Sequence, residues 1–100
     1  MKMQLKNTEL GAQEIDELKK LGIDGIARVI RKCWKNVNFA AKPYLDAMGN
    51  MISIKHNYGL DSGVSIVLYF LSNASTWRGP TAKAVKDELK RRVKATGYKL

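Results

Sequence analysis

The chain has 100 residues, 45% of them hydrophobic, and its 18 Lys and Arg stand against 9 Asp and Glu for a formal charge of +9. That length admits one domain, residues 1–100, with side chains enough for a core, and the composition excludes disorder. Two prolines and eight glycines exclude collagen-like and low-complexity classes.

The longest mainly apolar run, residues 64–71, is far shorter than the roughly 20 residues needed to cross a bilayer. No basic, apolar, small-residue order opens the chain, so no secretory leader is expected. The single cysteine, Cys33, allows no internal disulfide and fits a reducing cytoplasm. Charge is unevenly placed: residues 1–24 hold four lysines and five acids, whereas residues 25–100 hold fourteen basic and four acidic residues. The cationic body creates a field that attracts polyanions and speeds their encounter.

A first helix is expected over residues 12–21, where Ile15, Leu18 and Leu21 recur at three-residue steps. Asn7 or Thr8 could cap an earlier start, and Gly22 offers a left-handed stop. Asp24 is the expected N-cap of a second helix reaching about Asn36. Its apolar stripe is Ile26, Val29, Ile30, Cys33, Trp34 and Val37; its opposite stripe, Arg28, Arg31, Lys32 and Lys35, is wholly cationic.

After a turn at Asn36 and Asn38, a third helical stretch begins near Phe39 or at Pro43, with Leu45, Met48 and Ile52 as its apolar edge. Gly49 allows either one bent helix or two short ones, and residues 51–54 could form a short strand. Residues 57–63 are turn chemistry throughout. Asp61 or Ser62 can cap a fourth helix over residues 63–72, so apolar that it belongs at the centre of the fold. Residues 73–80 connect it to a last helix that opens at Pro80 and ends at Gly97, with Ala82, Val85, Leu89 and Val93 as its buried stripe. The expected architecture is all-α, a compact single-domain bundle of about five helices with a central apolar helix.

Converging catalytic groups are scarce, and a non-enzymatic protein without metal or cofactor is expected. His56 is the only histidine, which leaves no multi-imidazole metal site. A Cys33–His56 nucleophile pair can be written, but Cys33 falls on an apolar stripe, where a buried thiol is inert. The pairs Asp16/Glu17 and Asp87/Glu88 are adjacent in helices and diverge by about 100°.

Binding has more support. The stripe of Arg28, Arg31, Lys32 and Lys35 and the crowded surface of the last helix, Lys83, Lys86, Lys90, Arg91, Arg92 and Lys94, together hold ten cations. Sharing one side of the fold, they would make a footprint for a phosphate backbone, DNA or RNA; otherwise both are ordinary solvated helix faces. No helix-turn-helix spacing, zinc finger or RNP signature specifies bases. Trp77 and Arg78 precede a helix start, where they could stack on a base, hold a phosphate or anchor a partner. Trp77 could equally fold inward as a lid on the core.

The run from Tyr58 through Leu60, Asp61, Ser62 and Gly63, continuing over residues 65–79 to Trp77-Arg78-Gly79, with Lys86, Glu88, Leu89 and Lys90 beyond it, resembles small uncharacterised proteins encoded by bacteriophages and related mobile elements. The resemblance covers the C-terminal half and implies the cytoplasm of a bacterial host. There, short proteins often bind host or defence machinery. Two functions follow as expectations: a basic protein that associates with nucleic acid or a nucleoprotein complex, or an inhibitor that binds a host or defence protein such as a CRISPR effector or nuclease. A homodimer would also suit a small helical domain.

Overall fold

The computed structural model describes residues 9–58 and 61–100. The alternative start at Asn7 or Thr8 and the turn residues Gly59 and Leu60 lie outside them. Among the described residues, five α-helices carry the fold: α1 (Ala12–Glu17), α2 (Ile23–Cys33), α3 (Lys42–Met48), α4 (Gly63–Ser72) and α5 (Pro80–Ala95). A 3-10 turn spans Leu18–Lys20, and a minimal antiparallel hairpin pairs β1 (Asn57–Tyr58) with β2 (Asp61–Ser62). The expected all-α bundle is the fold observed.

Helix α1 starts where the Glu14 carboxylate accepts the Gly11 N–H at 2.9 Å, satisfying one of the donors a helix start leaves open. The run expected to reach Leu21 as one helix tightens after Glu17, which turns Leu18 into the core and leaves Leu21 extended. Gly22 corrects the sequence reading. It is no left-handed stop but the extended N-cap of α2 (φ −73°), and Asp24 sits inside the first turn rather than capping it. A Cβ on Gly22 would lie 2.8 Å from the Ile52 carbonyl, which accepts the Ile23 N–H at 2.9 Å. The glycine is there because two backbones touch.

Helix α2 stops at Cys33, short of Asn36, because Trp34 leaves helical geometry (ψ 95°) as its ring turns into the core. Pro43 sits in the first turn of α3, as its missing N–H allows. Gly49 ends α3 rather than bending it. The stretch after it is neither helix nor strand: Met51 and Ile54 anchor a turn in the core, while Ile52, expected on the buried edge, is exposed.

Ser62 caps α4, its hydroxyl accepting the Ser65 N–H at 3.1 Å. Ile66, Val67 and Phe70 are fully enclosed, and Val64, Leu68 and Leu71 pack on the same core. Helix α4 lies between α3 and α5, its apolar circumference matched by neighbours on several sides. Helix α5 buries Ala82, Val85, Leu89 and Val93 as expected, and ends before Gly97 (φ +94°). Among the described residues, no helix is long and apolar enough to cross a membrane.

Candidate functional site

The candidate site begins with the loop between α4 and α5. Trp77 turns inward: its ring stacks on Trp34 with centroids 5.5 Å apart and planes 6° from parallel, and it is 6% exposed. Phe70 meets Trp34 edge-on at 6.2 Å, completing an aromatic cluster beneath the loop. Trp77 therefore cannot offer its face to a base, and it leaves the set of binding residues. Its backbone remains exposed to α5, and the Lys86 ammonium donates to the Trp77 carbonyl at 2.6 Å.

That bond organises a groove of about 430 Å³ along the first half of α5, lined by Arg78, Lys83, Lys86, Asp87 and Lys90. Spacings of three and four residues put Lys83, Lys86 and Lys90 on neighbouring turns of one face. Gly79, at φ +112°, takes a backbone conformation that favours glycine, and Arg78 before it borders the same groove. Arg78 also reaches the Ser75 carbonyl at 3.5 Å. Burial, then the charges of Lys90 and Arg78, push the Lys86 pKa below the ordinary lysine value. The groove holds one carboxylate, Asp87, which pairs with Lys83 at 2.8 Å. The charge on Lys86, Lys90 and Arg78 has no carboxylate partner among the described residues.

The rest of the cationic stripes fare differently. Arg28 faces Asp24 at 3.8 Å, and Arg31 pairs with Asp46 of α3. Arg91 and Arg92 both clasp Glu88, at 2.6 and 2.7 Å, and Arg92 also donates to the Leu18 carbonyl at 2.9 Å. With its side chain only 15% exposed, Arg92 is a strut between α5 and the 3-10 turn. Lys32 shares a polar depression with Glu9 and Glu14. Lys35 and Lys94 are solvated. Carboxylates thus interrupt both cationic stripes; among the described residues Lys35 and Lys94 keep no carboxylate partner, and Arg78, Lys86 and Lys90 are the unpaired cations that line one groove.

Several structuring residues escaped the sequence reading. Glu9 and Thr81 lock the N-terminal segment to the start of α5: the Leu10 N–H donates to the Thr81 hydroxyl at 2.7 Å, and the Thr81 N–H donates to the Glu9 carboxylate at 3.0 Å. The carboxylate at a helix N-terminus is favourable, but a contact across more than seventy residues has no local signal. Cys33 is buried, and burial raises its thiol pKa, so it stays a protonated packing group. His56 is exposed on the turn before α4.

No family model, curated protein or solved structure matches this chain.

Proposed function

We propose that the protein is a small, non-enzymatic nucleic-acid-binding protein that holds a phosphate backbone in the α5 groove. The observation that carries this reading is that Lys86, Lys90 and Arg78 border one depression whose single carboxylate, Asp87, is already taken by Lys83. A folded chain loses stability by packing like charges together. An anion seated among them reverses the sign of that interaction. Lys86 uses one of its three donors on the Trp77 carbonyl, which fixes the ammonium while leaving donors for phosphate oxygens. Arg78 adds a planar fork suited to the same oxygens.

The groove offers charge but no arrangement that reads base edges, so affinity rests on backbone contacts. The likeness to bacteriophage and mobile-element proteins is consistent with this encounter taking place in a bacterial cytoplasm. The test is charge reversal. Lys86→Glu with Lys90→Glu is expected to abolish oligonucleotide binding, whereas Arg28→Glu with Arg31→Glu, on cations already paired, is expected to leave most of it. Equal loss from both pairs would mean that diffuse charge, not the groove, binds. Full retention in the first pair would overturn the reading, and the inhibitor of a host protein would take its place.

A further inference from the structure

The loop between α2 and α3 is tied to the end of α4 by Asn38, whose side-chain amide donates to the Asn73 carbonyl at 3.1 Å. Asn73 is the C-cap of α4, and its own amide donates to the Tyr69 carbonyl at 2.9 Å. Two residues further on, the Ser75 carbonyl is the one that Arg78 reaches. Two hydrogen bonds and the chain between them therefore link the Arg78 border of the groove, through Ser75 and Asn73, to Asn38 and its neighbour Phe39.

Phe39 is the conspicuous side chain on that path. It is 86% exposed, and Tyr69, whose carbonyl accepts the Asn73 side-chain amide, is 48% exposed. Nothing in the fold requires an aromatic ring at Phe39, yet its backbone is held. The Asn38 carboxamide oxygen accepts the Ala40 N–H at 3.1 Å, and the Asn38 carbonyl accepts the Ala41 N–H at 2.8 Å. Tyr69 is held from behind by Tyr44, ring centroids 5.3 Å apart. These are rings presented to solvent on fixed supports, tied through residues 73–75 to the Arg78 border of the cationic groove.

We infer that Phe39, together with Tyr69, provides stacking faces for unpaired bases, and that the ligand of the α5 groove is single-stranded nucleic acid rather than duplex. The inference rests on the backbone-binding reading of the groove and adds which form of nucleic acid fits it. Aromatic faces combined with a cationic track are the recognition mode of single strands, because every base has a π-face and stacking tolerates any sequence. A duplex hides those faces in its own stack, so only its phosphates could meet the groove. The shared chemistry is that of an unpaired polynucleotide, DNA or RNA.

Binding of strands of about 12 nucleotides, oligo-dT and oligo-U, is compared with binding of a duplex of equal length and of an abasic strand. The wild type is expected to prefer the single strands. Phe39→Ala is expected to weaken them by about fivefold or more, leave duplex and abasic affinities unchanged, and be rescued by Phe39→Trp but not by Phe39→Leu. Its exposure means that the alanine variant keeps its thermal stability. Unchanged single-strand affinity in Phe39→Ala, while Lys90→Gln still weakens binding, would overturn the platform and leave the groove standing. A dimer that dissociates on Phe39→Ala without a change in strand affinity would assign the ring to a second copy and overturn it equally. No binding of any strand by the wild type would overturn both readings.

Discussion

Trp34 and Trp77 stack almost parallel, 5.5 Å apart, and so tie the end of α2 to the loop that precedes α5. The pair sits under the groove: the Trp77 carbonyl that anchors Lys86 is held in place by the burial of its own ring. Trp77→Ala is expected to lose about 3–5 kcal/mol of stability, which for a domain of this size lowers the melting temperature by more than about 10 °C. Thermal denaturation followed by circular dichroism checks it. An unchanged melting temperature would show that the ring does not hold the core.

Glycines separate steric from conformational demands. A Cβ on Gly63 would lie 2.8 Å from the His56 carbonyl and closer still to that of Ile54, both backbone groups that cannot rotate aside. Gly97 has nothing within 4 Å and only its φ of +94° to defend. Gly63→Ala is therefore expected to destabilise by about 2 kcal/mol or more, against about 1 kcal/mol for Gly97→Ala. Urea midpoints give the order, and the reverse order would contradict the packing described for the start of α4.

Glu88 makes stability depend on acid. The hydrogen bond from Arg91, aided by Arg92, lowers its pKa against the opposing effect of burial. A carboxylate whose folded pKa is depressed contributes stability above its unfolded value, about 4.3, and that contribution is lost as pH falls through the lower folded value. Glu88→Gln is expected to be less stable at neutral pH by about 1–3 kcal/mol, since Arg92 then loses its partner near the Leu18 carbonyl. The variant is also expected to lose less on acidification. Stability curves that run parallel from neutral to acid pH would remove Glu88 from this role.

Lys86 provides a proton signature of occupancy. Its pKa is depressed in the free protein by burial and by Lys90 and Arg78. A bound polyanion stabilises the charged form and raises that pKa, so binding in the alkaline range below the ordinary lysine value of 10.5 takes up protons. Calorimetry in two buffers of different ionisation enthalpy measures the uptake, and Lys86→Arg is expected to reduce it. Proton release, or uptake unaltered in the variant, would mean that the anion sits elsewhere.

Much of the fold was legible because burial follows period. The stripes of α2 and α5, the Ser62 cap, and the stops and starts at Pro43, Pro80 and Gly97 are local patterns with local causes. Gly22 was misread because its constraint is the Ile52 carbonyl, thirty residues away, and no spacing announces such a contact. The site was legible as charge and illegible as geometry. Counting cations could not show that Asp46 would meet Arg31 from another helix, nor that Arg92 would turn to Glu88 and the Leu18 carbonyl. Phe39 carries no sequence signal at all, since an aromatic in a turn is ordinarily drawn into a core, and only the surrounding packing reveals that this one is not.

The most direct measurement of the central claim is the salt dependence of oligonucleotide affinity. Three cations that line the groove have no carboxylate partner among the described residues, Arg78, Lys86 and Lys90. Engagement of all three gives a slope of log K against log salt of about −2 on a single strand, at roughly 0.7 for each phosphate neutralised. Lys90→Gln is expected to make the slope shallower by about 0.7, whereas Arg31→Gln leaves it alone. A flat salt response, or a slope that Lys90→Gln does not alter, would contradict the groove as the seat of binding.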